Sequence, residues 1–268
     1  MTGRIDGKVA LITGAARGQG RSHAIRLAAE GADIIAVDAC ADYASVPYAM
    51  ATPADLAETA DAVRNLGRRI VTRQADVRDL AALTAAVDAG VAELGRLDIV
   101  CANAGLCTVQ AFDEVTPELW RDTIDTNLTG VWHTLRASAP HLIAAGGGSV
   151  ICVSSTAGLR GLPFFGPYSA SKFGVTGIAK SMANELAEYG IRVNTVHPTG
   201  VSGPMADGLG ALPPLIEKHP ATGATFVNAI ADNVEPADVT NAVLFLASDE
   251  ARYVTGLEFT IDAGMLLR

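Results

Sequence analysis

Residues Lys8-Val-Ala-Leu-Ile-Thr13 carry no charge after Lys8 and pass directly into Gly14-Ala-Ala-Arg-Gly18-Gln-Gly20. A short apolar run of this kind reads as a buried parallel strand, and a glycine-rich turn opening into a helix brings backbone N–H groups and a helix N-terminus to one point. That is the arrangement that receives a pyrophosphate. The glycines are spaced G-x-x-x-G-x-G rather than the commoner G-x-G-x-x-G, with the same mechanics of close backbone approach. Gly14, Arg17, Gly18, Gln19 and Gly20 are therefore candidate cofactor contacts.

The next residues extend the pattern. A helix over 21–30 stops at Gly31, and Asp33-Ile-Ile-Ala-Val-Asp38 is a second apolar strand ending in an acid. An acid about 20 positions beyond the loop is placed to accept hydrogen bonds from an adenosine ribose and to repel a 2′-phosphate. Asp38 thus argues for NAD over NADP. Arg17 reads the other way, as a phosphate clamp, but Ala39 offers no second cation.

Strands and helices alternate from there to the end, which predicts one doubly wound α/β domain of Rossmann type over residues 1–268, with about seven parallel strands and helices on both faces. Residues 39–52 have no clear period and form an inserted loop, closed by the capping box Thr52-Pro53-Ala54-Asp55. Helices are expected over about 53–66, 79–94, 117–145, 168–189 and 236–248, and strands over about 69–75, 97–102, 149–154, 191–197 and 257–262. Residues 202–228, rich in Gly, Pro, Leu and Ala, lack a stable period and suit a mobile lid. Ligands in such sheets bind beyond the C-terminal strand ends, where Gly14, Asp38, Asp76, Asn103, Ser155 and Pro198 all fall.

Composition narrows the function. With 268 residues, 49% hydrophobic and 18% charged, the chain can bury one large core, and a net charge of −9 disfavours nucleic acid and anionic membrane surfaces. No apolar run approaches the length of a membrane span and the N-terminus does not read as a signal peptide, so a cytoplasmic location is expected. Cys40, Cys101, Cys107 and Cys152 show no C-x-x-C spacing and the five histidines form no ligand motif, so no metal site is expected.

The chemistry is carried by Tyr168-Ser-Ala-Ser-Lys172, thirteen residues after Ser155. Residues i and i+4 share a helix face, so the ammonium can sit beside the phenol, and a neighbouring cation lowers a phenol pKa. No G-x-S-x-G elbow surrounds Ser155, so it is not read as a hydrolase nucleophile. Ser154 is an alternative, but the spacing to Tyr168 favours Ser155.

Together the motifs Thr13-Gly-x-x-x-Gly18-x-Gly20, Asp76, Asn103-Ala-Gly105, Asn127, Ser155, Tyr168-x-x-x-Lys172 and Pro198-x-x-Val201 resemble the short-chain dehydrogenase/reductase family across essentially the whole chain. The resemblance implies that Tyr168 is the acid/base, that Ser155 orients and polarises the substrate oxygen, and that Lys172 lowers the Tyr168 pKa and holds the nicotinamide ribose. Asn127 would hold a water linking Lys172 to solvent. Asp76 and Val77 would meet adenine, Asn103, Ala104 and Gly105 the ribose side, and Pro198, Thr199 and Val201 the nicotinamide end. It also implies a homotetramer packed through the helices at about 117–145 and 168–189. Val131, Leu135, Val175, Ile178 and Met182 could supply part of that surface or could face the sheet.

The inserted loop, His197-Pro-Thr-Gly-Val201 and Pro204-Met205 are similar to the mycofactocin-coupled, carveol-dehydrogenase-like branch. That likeness implies tightly held NAD reoxidised by a separate mycofactocin carrier. One departure is Gly203, where the family usually has a Thr whose hydroxyl reaches the pyrophosphate. Leu162, Phe164, Phe165, Met205, Leu209, Leu212, Leu215 and Phe226 suggest an apolar pocket for a terpenoid- or steroid-like alcohol or ketone, with core packing as the plainer reading. A non-catalytic NAD-binding redox sensor is the alternative function, against which the intact Ser, Tyr and Lys argue.

Overall fold

The computed structural model describes residues 3–268. Its sheet has strands β1 (Val9–Thr13), β2 (Asp33–Asp38), β3 (Ile70–Gln74), β4 (Ile99–Ala102), β5 (Gly148–Val153), β6 (Ile191–Pro198) and β7 (Glu258–Ile261). All pairings are parallel, in the order β3-β2-β1-β4-β5-β6-β7. The direction of progression reverses between β1 and β4, which opens a crevice at their C-terminal ends. This is the doubly wound, Rossmann-type sheet expected from the strand–helix alternation.

The helices are α1 (Gly18–Ala29), α2 (Pro53–Asn65), α3 (Leu80–Leu94), α4 (Pro117–Ile124), α5 (Gly130–Ala144), α6 (Gly166–Glu185), α7 (Pro204–Asp207), α8 (Leu212–Lys218) and α9 (Pro236–Ala247). Alternate strand residues divide between two cores, as a period of two requires. Ala10, Ile12, Ile34 and Ala36 pack under α1, α2 and α9, while Val9, Leu11, Ile35 and Val37 pack under α3, α5 and α6. Each fully buried Leu or Ile on these faces contributes about 1.5–3 kcal/mol. Close approach is set by Gly90: a β-carbon there would lie 2.7 Å from Ile35 Cγ2, so any side chain would push α3 off β2.

Local signals start and stop the helices where chemistry demands. Thr52 Oγ1 accepts from Asp55 N at 3.2 Å and Asp55 Oδ2 accepts from Thr52 N at 2.7 Å, so the capping box read from the sequence forms. Asp79 caps α3 by accepting from the Ala81 and Ala82 amides, and Gly95 ends it at φ +93°.

Two expectations are corrected and one left open is decided. The helix expected over 117–145 is interrupted by a π turn at Asp125–Thr129, because the Asn127 side chain pairs with the Leu106 backbone and the helix bulges to reach it. Residues 202–228 are not periodless: they form α7, α8 and a 3₁₀ turn at Pro220–Phe226, each opened by a proline in its first turn. Of the two places left open for Val131, Leu135 and Val175, the structure takes the core beneath the sheet.

Candidate active site

The glycine loop is shaped by what it cannot carry. Gly14 has φ +66° and Gly18 φ +55°, conformations that disfavour side chains. A β-carbon on Gly14 would lie 2.8 Å from Ala104 Cα, and one on Gly20 would collide with the Gly14 carbonyl. Asn103 locks this packing: its Nδ2 donates to Thr13 O at 2.9 Å and Gly14 O at 3.2 Å, while Thr13 Oγ1 accepts from Asn103 N at 3.1 Å. Helix α1 begins at Gly18 with no side-chain cap, so its first amides face the cavity lined by Gly14, Arg17, Gly18, Gln19 and Gly20. Buried Gln19 Oε1 has no hydrogen-bond partner among the described residues. An uncapped N-terminus and bare glycine backbone along one wall fit an anionic dinucleotide, whose hydroxyl or amide donors would suit the orphaned Gln19 oxygen.

Asp38 stands at the end of β2, where Oδ2 accepts from Ala16 N and Oδ1 from Cys40 N, each at 3.0 Å. Two amides fix the carboxylate at the cavity edge and leave its remaining lone pairs for a diol. Arg17 does not pair with it: Nη2 donates to Ala49 O at 2.8 Å, tying the glycine loop to the inserted loop. Asp76 is held by Arg78, whose Nε and Nη2 reach Oδ2 at 2.9 and 2.7 Å, and Arg78 also donates to Asp122 and lies 4.3 Å from the Tyr43 ring centroid. Val77 is buried beside it, where a β-carbon on Gly130 would lie 2.5 Å from Val77 Cγ2.

At the other end of the cavity Ser155, Tyr168 and Lys172 meet, delivered by the end of β5 and the first turns of α6. Lys172 Nζ lies 5.4 Å from the Tyr168 ring centroid and donates to Val153 O at 2.8 Å. Burial pushes the Lys172 ammonium down to about 8. Burial also pushes the Tyr168 phenol well above its usual range, and the hydrogen bond with Ser155 offsets this only in part. In the chain alone the Tyr168 phenol is thus raised by burial, against which any lowering by the Lys172 cation would have to act.

Asn127 is fully buried, with Oδ1 accepting from Leu106 N and Nδ2 donating to Leu106 O, each at 2.8 Å. Its Oδ1 is 3.2 Å, and Lys172 Nζ 3.6 Å, from the point where a β-carbon on Gly105 would stand, so Gly105 keeps both groups in reach of the cavity. Ser154 is occupied elsewhere, donating to Lys172 O at 3.0 Å, whereas Ser155 Oγ accepts from Ala157 N at 3.1 Å and donates to Pro198 O at 3.4 Å. Thr199 donates to Asn228 Oδ1, and Val201 forms a bridge with Val234. Gly203 adopts φ +138°, a conformation in which the family's usual threonine would be strained.

Cys107, Leu162, Phe165, Met205, Leu209 and Phe226 line the cavity as part of an apolar cluster that also holds Val109. Sequence reasoning missed Tyr43, Tyr48 and Met50, which line the same cavity from the inserted loop. Their signal was present: they are the large side chains of an otherwise alanine-rich stretch. Tyr48 OH accepts from Cys107 N at 3.1 Å, and burial pushes its pKa up to about 12. Among the described residues no cluster of His, Cys, Asp or Glu could hold a metal ion, all four cysteines are free, and no helix is long and apolar enough to cross a membrane.

A parallel sheet with a dinucleotide-shaped loop at one end of a cavity and a Ser-Tyr-Lys set at the other defines a hydride-transfer class of enzyme. The sequence matches the short chain dehydrogenase family over residues 8–211, and the chain belongs to that family. It is 49% identical to (−)-trans-carveol dehydrogenase of Rhodococcus erythropolis, with 99% of both chains covered. A carveol dehydrogenase of Mycobacterium avium in complex with NAD superposes with a TM-score of 0.94 at 49% identity over 100% of both chains. A short chain dehydrogenase of Mycobacterium paratuberculosis bound to NAD gives 0.97 at 48% identity, covering 99% of this chain and 100% of that one.

Proposed function

We propose that this NAD-dependent short-chain dehydrogenase interconverts a secondary alcohol and a ketone on an apolar, terpenoid- or steroid-like substrate. The observation that carries the reading is the convergence of Ser155, Tyr168 and Lys172 on one cavity that Leu162, Phe165, Met205, Leu209 and Phe226 also line. Gly14, Gly18, Asp38 and Asn103 would hold NAD, whose oxidised form would accept the hydride from an alcohol and whose reduced form would give it to a ketone. Asp38 would hold the adenosine ribose through its carboxylate and disfavour a 2′-phosphate there.

The protein's own part is orientation and a proton. Tyr168, kept as a phenol by burial, is primed to donate its proton to the oxygen of a ketone as that oxygen gains charge. In the alcohol-oxidising direction the Tyr168 phenolate oxygen takes the proton from the substrate hydroxyl. Ser155 fixes the substrate oxygen beside it, and Lys172 stabilises the phenolate once the proton has gone. Asn127 fixes the Leu106 turn and the base of the Lys172 pocket, the place from which a water would connect Lys172 to solvent.

Retention of NAD through turnover, with reoxidation by a mycofactocin-type carrier, is part of the same proposal. Its support is the meeting of the inserted loop and the lid over the cavity: Tyr48 packs on the backbone of Gly208. We place the enzyme in the cytoplasm, where four unpaired thiols suit a reducing compartment. The test is turnover against a panel of secondary alcohols with terpenoid and steroid members, together with NAD released on denaturing the purified protein. No oxidation of any member, with NAD bound, would sink the enzymatic reading.

A further inference from the structure

His197 is fully buried in β6, and its ring nitrogens have different partners. Nδ1 lies 2.8 Å from the Ser155 carbonyl oxygen and Nε2 2.7 Å from Thr195 Oγ1. A carbonyl only accepts, so Nδ1 carries the hydrogen; Nε2 of the neutral ring then accepts from the Thr195 hydroxyl. Burial lowers the ring's pKa, so this neutral tautomer persists.

What the ring holds is the point where β5 ends. The sheet ladder between the two strands finishes with Ser154 N donating to Val196 O at 2.9 Å, and Ser155 lies one residue beyond it. The Ser155 carbonyl has two lone pairs. One accepts from Gly158 N at 2.9 Å, which closes the turn that follows, and the other accepts from His197. The serine hydroxyl meets the same strand, donating to Pro198 O at 3.4 Å.

We propose that His197 is a positioning residue for Ser155: by holding the serine's carbonyl against the end of β6, it sets the direction in which the Ser155 hydroxyl faces the substrate oxygen. The proposal rests on Ser155 acting as read above. A buried histidine that merely filled space would stabilise the fold without favouring one side chain of the site, and the experiment separates the two.

His197→Leu removes both hydrogen bonds, whereas His197→Asn restores an amide N–H where Nδ1 stood. Turnover is measured per folded molecule, counted by bound NAD, in wild type and in a Ser155→Ala background. His197→Leu is expected to lower kcat about tenfold or more in the wild-type background, as misplacement of a reacting group does, and His197→Asn to recover most of it. In Ser155→Ala the same His197→Leu change should have almost no further effect. An equal loss in both backgrounds, or unchanged kcat per folded molecule, would overturn the proposal. Wild-type turnover in Ser155→Ala alone would instead overturn the reading of Ser155, and this proposal with it. Should His197→Leu not fold, His197→Gln, whose amide reaches the Nε2 side and not Ser155, replaces it with the same expected outcomes.

Discussion

Tyr48 and Gly208 are in direct contact across the mouth of the cavity, the tyrosine ring lying so close to the glycine backbone that a β-carbon on residue 208 would collide with Tyr48 Cδ1. One residue belongs to the inserted loop and the other follows α7, so the contact joins the covers over the two ends of an extended ligand. Release of that ligand then needs both to move together. Gly208→Ala should prise them apart and raise the rate of NAD loss about tenfold, the scale on which ligand off-rates respond to altered contacts. Stopped-flow displacement of bound NAD checks it, and an unchanged off-rate would refute the clamp.

Tyr168→Phe keeps the ring and deletes the transferable proton. Turnover should fall about 100-fold or more, the usual contribution of a positioned acid or base, while NAD affinity stays near wild type. Steady-state kinetics with a titration of NAD fluorescence quenching measures both.

Lys172 sets a pH dependence of stability. Its pKa is about 8 in the folded chain against an ordinary value near 10.5, so between those values the unfolded chain holds the extra proton. Stability of the NAD-free protein should therefore rise with pH from about 8 towards 10.5, and the gain should disappear as pH falls through about 8. Chemical denaturation across that range, compared with Lys172→Met, tests the sign; parallel curves for the two proteins would contradict it.

Asp38→Ala removes the carboxylate while leaving Arg17 in place. NADP binding should improve and NAD binding weaken, narrowing the preference about tenfold or more, the loss expected when a charge-assisted hydrogen bond is removed. Calorimetric titration with both nucleotides decides it, and tighter NADP than NAD binding by the unaltered protein would show that Arg17 dominates.

A homotetramer is expected to form through the outer faces of α4, α5 and α6. Among the described residues, the large exposed apolar side chains of those helices are Trp120, Trp132, Ile143 and Phe173, not the core residues Val131, Leu135 and Val175. Light scattering should give a tetramer mass at micromolar concentration, and Trp132→Glu should lower it.

The strand–turn–helix at residues 8–30 was legible because the charge-free run, the glycine turn and the second strand ending in Asp38 agree, whereas glycines alone mark any turn. The Ser155, Tyr168 and Lys172 set was equally legible, since all three fall where one strand and one helix must converge. Less was visible where tertiary partners decide. The π turn at Asn127 depends on Leu106, which lies in another element, and no periodicity announces it. Residues 202–228 fold into short helices because apolar contacts with Phe165 support them, not because the segment favours helix by itself. The burial of Tyr168, which raises its phenol, was not visible because spacing reveals the neighbouring cation and not the desolvation.

The π turn at Asp125–Thr129 also limits how this chain can vary in length. A π turn holds one residue more than the α-helical turn it replaces, so one residue deleted there would let the ladder close as an ordinary α-helix with the downstream side chains still on their faces. Val131 and Leu135 would stay against the sheet, while Asn127 would lose the bulge that carries it to the Leu106 backbone. The residue count at this turn therefore serves the site and not the core, so a descendant shortened here should fold and yet give up the Asn127 contact.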